Sequence, residues 1–244
     1  MRNSDLLRCV TVFLAAALFA AGCGSSGTGG GDDPEANEPD PLPAPDFPAN
    51  SGQAANGQVA YPAGPYGIGQ GSIIANYEFM GFPNPMADNT KLVRIQLADF
   101  YNPTGTEVYP EGSPYGAGTP KPKALLIDVA SVWCGPCNEE AKSVLPGKHA
   151  ELKPLGGEFL LQLADGPYSG TAATEKNLSN WTSKYDSGYP SAIDPAYKLA
   201  ALFDSNAFPA NMIINTRTME IETVISGVPS DAFWTKFEKV LNTP

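Results

Sequence analysis

The chain has 244 residues, with 15 basic and 26 acidic side chains and a formal net charge of −11. That balance argues against nucleic acid, whose phosphates need clustered Lys and Arg, and against a basic membrane-surface patch. Gly (25) and Pro (24) are abundant and unevenly spread, so part of the chain is expected to be non-globular.

The first segment reads as a targeting sequence. Arg2 and Arg8 form a short basic region, interrupted by Asp5, and Cys9 to Ala21 is a run of 13 almost wholly apolar residues. That length suits a signal peptide and is too short to span a bilayer. The run ends Leu18-Phe19-Ala20-Ala21-Gly22-Cys23, which resembles a bacterial lipobox, with Ala20 where a Leu is usual. Residues 1–22 are therefore expected to be a signal peptide and Cys23 the lipidation site. Acyl chains contribute about 0.8 kcal/mol per buried methylene, so several of them hold a protein on a membrane. Residues 23–50 are Gly-, Ser- and Pro-rich and read as a tether, with residues 51–71 a Gly/Pro-rich lead-in. The predicted domain spans residues 72–244.

Within it, Ile73 to Phe79 reads as a first strand and Leu92 to Leu97 as a second. A turn-rich stretch from Asn102 to Pro122 follows. Ala124 to Ala130 is a continuous apolar run broken only by Asp128, the pattern of a central strand buried on both faces. Ala141, Val144 and Leu145 mark a helix face, which Pro146-Gly147 is expected to interrupt. Phe159 to Leu163 is another buried strand, and Leu178, Trp181 and Tyr185 stripe a helix. Asp194-Pro195 is placed at the start of a helix running through Phe203. Met212–Ile214 and Ile221–Ile225 flank a turn at Asn215–Thr218 as a hairpin. Ser230 opens a last helix with Phe233, Phe237, Val240 and Leu241 inward. The order from Ala124 is β-α-β-α-(short β)-α-β-β-α, an α/β class.

The chemistry sits in Trp133-Cys134-Gly135-Pro136-Cys137, after a buried strand and at the opening of a helix. With Cys9 leaving in the signal peptide and Cys23 taking lipid, Cys134 and Cys137 are the pair left for redox or metal work. A Cys-x-x-Cys in this context points to thiol–disulfide exchange. Unpaired N–H groups and the helix dipole favour a thiolate on the first cysteine. Cys134 is assigned as nucleophile and Cys137 as the resolving thiol. A structural disulfide closing so small a loop would stabilise little, and a zinc site would want more ligands than this pair and the single histidine, His149, provide. No metal and no cofactor beyond the Cys134–Cys137 disulfide is expected. His149 is read as a surface residue on a helix.

These residues resemble the thioredoxin superfamily, in particular its TlpA/ResA-like, membrane-attached redoxins. The resemblance runs from about Ser72 to Leu241 and implies a thioredoxin-like fold: a central mixed sheet flanked by helices, here with an N-terminal strand extension. It implies that Asp128 is a buried acid relaying a proton to the resolving thiol. It also implies that Phe208-Pro209 is the cis-proline loop beside the active site, so that Trp133, Gly135, Pro136, Phe208 and Pro209 bind substrate. Lys142 stands where the family's helix proline would be, the stretch from Asp165 to Pro190 is longer than in a minimal thioredoxin, and the Asn215–Thr218 turn lacks the usual Asp and Gly.

The function so implied is an extracytoplasmic thiol–disulfide oxidoreductase in the cell envelope. Its Gly135-Pro136 pair resembles that of reducing members, making it a reductase of protein disulfides. Its partners would be protein thiols and disulfides and a membrane electron donor, since no nicotinamide or flavin motif is present. The competing readings are a peroxiredoxin-like peroxidase, for which Ser131 and Ile127 stand where Thr and Pro are required, and a copper chaperone or non-catalytic binding module on the same fold, for which the two-residue gap is one short.

Overall fold

A computed structural model describes residues 60–199 and 207–243. The expected signal peptide, Cys23 and the tether lie outside the described residues.

The architecture is one seven-stranded sheet with strand order β2-β1-β5-β4-β3-β6-β7. The strands are β1 Glu78–Phe82, β2 Val93–Gln96, β3 Ala124–Ser131, β4 Gly157–Asp165, β5 Ser191–Ile193, β6 Ala210–Asn215 and β7 Glu220–Ser226. The helices are α1 Gly135–Ser143, α2 Leu145–Leu152, α3 Glu175–Lys184 and α4 Asp231–Leu241. β3 and β4 are buried along their whole lengths, as their near-continuous apolar sequences require. They run parallel to each other, whereas β6 pairs with β3 antiparallel and turns back into β7.

Side-chain alternation splits β3 between two cores. Leu126 and Ala130 join one cluster with Cys137 and Ala141 of α1, Leu145 and Leu152 of α2, Leu178 and Trp181 of α3 and Phe233 and Phe237 of α4. Leu125, Ile127 and Val129 join the other, which is closed by Tyr61, Ile74, Tyr77, Phe79, Ile95, Leu97 and Phe100. The four α-helices therefore contribute to one side of the sheet, and the N-terminal segment covers the opposite side. Asp128 is even-numbered like Leu126 and Ala130, so the pleat turns it towards the helices.

Five expectations need correction. The first strand lies at Glu78–Phe82 rather than Ile73–Phe79. Residues 71–74 instead run beside the start of β7, with Gly71 N donating to Ile221 O (2.8 Å), Ile74 N to Met219 O (2.9 Å) and Ile221 N to Ser72 O (2.9 Å). Gly81 is part of the true strand: a Cβ there would come within 2.3 Å of Ser191 O, so β1 can approach β5 only with a glycine. Packing also begins before Ser72, because the buried Tyr61 donates its hydroxyl to Ile74 O at 2.8 Å.

The helix after the cysteines breaks at Val144, ahead of Pro146-Gly147. Pro146 lies in the first turn of α2, where a missing N–H leaves no helical bond unmade. The stretch from Asp194 to Leu199 forms turns rather than a helix, with Asp194 accepting from Lys198 N and Leu199 N. Residues 200–203 of that expected helix lie outside the described residues.

His149 faces inward, with its side chain only 13% exposed. Its ring packs against Phe159 and Tyr189, with centroids 5.1 and 5.2 Å away. Nε2 lies 2.9 Å from Oε1 of Glu158, which also binds Lys153. Burial pushes the Glu158 carboxyl up, but the His149 bond and the Lys153 ammonium outweigh burial and hold it below its ordinary value. His149 is thus the partner of a buried carboxylate at the start of β4.

Candidate active site

β3 ends at Ser131, and the chain passes through Val132 and Trp133 into α1. Cys134 is the N-cap of that helix, in an extended conformation, and its sulfur accepts from Cys137 N at 3.1 Å. Pro136 occupies the first turn, where its fixed φ suits a helix start. Cys134 and Cys137 are joined in a disulfide, and both are buried, at 2% and 1% exposure. Gly135 and Pro136 between them are exposed. The sequence pattern and the structure thus place two sulfurs at a helix N-terminus, where partial positive charge favours a thiolate on reduction.

Trp133 is exposed as well, at 39%. Its indole N–H donates to Asp165 Oδ2 at 2.8 Å, and its ring meets Phe208 edge-on at 6.0 Å. The Phe208-Pro209 peptide bond is cis, and Phe208 packs against the cluster that contains both cysteines. The structure therefore brings Trp133, Phe208, Pro209 and the cysteine pair to one end of the sheet.

Beneath the disulfide lie two buried carboxyls. Asp128 is 3% exposed, and its Oδ1 has no hydrogen-bond partner among the described residues. Burial pushes its carboxyl up to about 7. Glu140 stands one helical turn after Cys137, on the same inward face of α1, and is 1% exposed. Its Oε1 accepts from Asn211 Nδ2 at 3.1 Å, and Asn211 sits opposite Asp128 in the β3–β6 register. Burial first, and then the charge of Asp128, pushes Glu140 up to about 9, against the opposing bond from Asn211. Two carboxyls in one apolar site cannot both ionise near neutrality without a large penalty. The pair thus retains at least one proton at neutral pH.

Sequence reasoning singled out Asp128 and missed Glu140. Its signal was present: Cys137, Glu140, Ala141 and Val144 have the spacing of one helix face, and an acid on that face is out of place. Asp165 and Asn138 were missed as well. The buried Asp165 carboxylate accepts from Trp133, from Gly170 N at 3.1 Å and from the Tyr197 hydroxyl. Nothing local to Asp165 in the sequence announces those partners.

No protein-family model matches this chain, and no curated protein matches it significantly. Among solved structures, it is similar to a secreted thiol-disulfide isomerase from Corynebacterium glutamicum, with 16% identity and a TM-score of 0.50 over 70% of this chain and 86% of that one. It is also similar to a DsbF homologue from Corynebacterium diphtheriae, with 15% identity and a TM-score of 0.48 over 69% and 85%. The first likeness shows the fold: the chain is a mixed α/β protein of thioredoxin-like architecture.

The buried carboxyls have a consequence for stability. Their folded-state pKa values lie above the ordinary 3.8 and 4.5, at about 7 and about 9. Between those limits the folded state holds protons that the unfolded chain releases, so stability is full at low pH and falls as pH rises through the window. Asp128→Asn and Glu140→Gln remove the cost of ionising a buried group. Each variant should therefore gain on wild type between pH 4 and pH 8, by on the order of 2–4 kcal/mol for Asp128→Asn. Urea unfolding with the disulfide intact measures this, and variant and wild-type profiles running parallel with pH would refute it.

Proposed function

We propose that this chain is an extracytoplasmic thiol–disulfide oxidoreductase that reduces protein disulfides through Cys134 and Cys137. The observation that carries the reading is a two-residue-spaced disulfide across the first turn of a helix, near a pair of buried carboxyls that burial pushes up. Buried titratable groups gathered at a reactive pair are the pattern of an acid/base device. The fold similarity supports it, since the Corynebacterium glutamicum protein on the same fold is described as a thiol-disulfide isomerase.

The cycle begins with the reduced pair. The Cys134 thiolate attacks one sulfur of a substrate disulfide, forming a mixed disulfide and expelling the other substrate sulfur as a thiolate, which takes a proton from water. Cys137 then gives up its proton and attacks the Cys134 sulfur. A Cys134–Cys137 disulfide forms, and the second substrate sulfur leaves as a thiolate, which takes a proton from water. Asp128, poised near neutrality, is the acceptor for the Cys137 proton. Glu140 stays protonated and keeps a second negative charge away from the developing thiolate. Trp133, Gly135, Pro136, Phe208 and Pro209 form the surface that receives the substrate chain. Two electrons must return to the pair for each turnover, and a membrane dithiol partner supplies them. Lipid on Cys23 and the tether of residues 23–50 would hold the domain near that partner.

Cys134→Ser should abolish insulin reduction, whereas Cys137→Ser should accumulate a mixed disulfide through Cys134, seen as an adduct mass. Alkylation of Cys137 ahead of Cys134 in the reduced protein would reverse the assigned roles.

Full-length protein expressed in a bacterium should partition with membranes and carry acyl mass at Cys23, and a Cys23→Ala variant should lose both. Native protein recovered soluble with an unmodified Cys23 would contradict the anchor.

A further inference from the structure

Asn138 follows the resolving cysteine, and its side chain has every hydrogen-bonding group filled. Nδ2 donates to Val132 O at 3.0 Å and to Cys134 O at 2.7 Å. Oδ1 accepts from Lys184 Nζ at 3.2 Å and from the Tyr185 hydroxyl. A lysine ammonium can only donate, so the amide is fixed in this orientation. The Asn138 main-chain N–H also donates to Cys134 O, at 3.1 Å. One residue thus clasps the segment Val132–Cys134, which carries both the exposed Trp133 and the nucleophile. The C-terminal end of α3 clasps that residue in turn. Tyr185 is itself anchored, with its ring T-shaped against Trp181 at 4.8 Å.

We propose that Asn138, braced by Lys184 and Tyr185, is a positioning residue that holds the Cys134 turn and favours its thiolate. The inference rests on the reading of Cys134 and Cys137 as the redox pair. The physical argument has two parts. A pinned Cys134 carbonyl keeps the first turn of α1 in register, so its free N–H groups stay aimed at the sulfur. The Lys184 ammonium, bonded to Asn138, adds a positive charge at the same helix end. The other titratable groups on the surrounding elements include Asp128 on β3, Glu139, Glu140 and Lys142 on α1, Asp165 on β4, Glu175 and Lys176 on α3, and Tyr185, Asp186 and Tyr189 after it. The carboxylates among them oppose a thiolate. Lys184 is the cation bonded into this network, and it works against them. Because Lys184 is exposed, its share is open to screening by salt.

The test is the rate of iodoacetamide alkylation of Cys134 against pH, in the reduced full chain, for wild type, Asn138→Ala, Lys184→Gln and Tyr185→Phe. The midpoint of the rate profile should move upward in the variants while the high-pH plateau stays put. At neutral pH and low salt, alkylation should slow about threefold in Lys184→Gln and about tenfold in Asn138→Ala. The Lys184→Gln effect should vanish in molar salt. Lys176→Gln, at the exposed far end of α3, should behave as wild type. Lys184→Gln alters only a surface group, so it keeps the test decisive even if Asn138→Ala folds poorly. An unmoved midpoint in Lys184→Gln and Tyr185→Phe, or a lowered plateau with no midpoint change, overturns the proposal. Failure of the wild-type chain to reduce insulin overturns the redox reading beneath it instead, whatever the variants do.

Discussion

A carboxyl group inside an apolar core must give up its charge or find a partner, and this protein buries two of them side by side. Asp128 and Glu140 come from different elements, the central strand and the helix that follows it, yet both point into the same cluster as the cysteines. Each makes the other harder to ionise. Asn211, across from Asp128 on β6, donates a hydrogen bond to the Glu140 carboxyl, so three elements meet at this site. Burial raises Asp128 to about 7, the range that the proposed proton transfer from Cys137 calls for.

The rest of the architecture serves that arrangement by keeping the two faces of the sheet distinct. The α-helices gather on one face and enclose the cysteines and carboxyls. The opposite face is sealed by Tyr61, Tyr77, Phe79, Ile95 and their neighbours from the N-terminal segment, which keep water from reaching β3 from behind. A strand buried on both sides holds Asp128 in a fixed place and a low-dielectric setting.

Much of this was legible in the chain. The unbroken apolar run of β3, the Trp-Cys-Gly-Pro-Cys motif after it and the Met212–Ile225 hairpin each carry their own local signal, and the structure has each of them. What escaped was tertiary. Ile73-Ile74 and Phe79-Phe82 are equally apolar, and only the close approach of Gly81 to β5 decides which becomes the strand. His149 looked solvent-exposed because its carboxylate partner, Glu158, sits in the next strand. Asn138 was invisible for the same reason, since its partners Lys184 and Tyr185 are far along the chain. Glu140 was the readable omission, an acid on the inward face of a helix.

Negative charge held near a thiolate disfavours the reduced, ionised pair, so an ionised Asp128 biases the couple towards giving electrons away. Positive charge from the helix end and Lys184 offsets part of that bias. The balance is read directly by the reduction potential of the Cys134–Cys137 couple, equilibrated against dithiothreitol and glutathione buffers at neutral pH. A reductase requires a value near that of thioredoxin, about −270 mV. A value near that of a strong oxidant, about −120 mV, would contradict the account and make the protein a donor of disulfides instead.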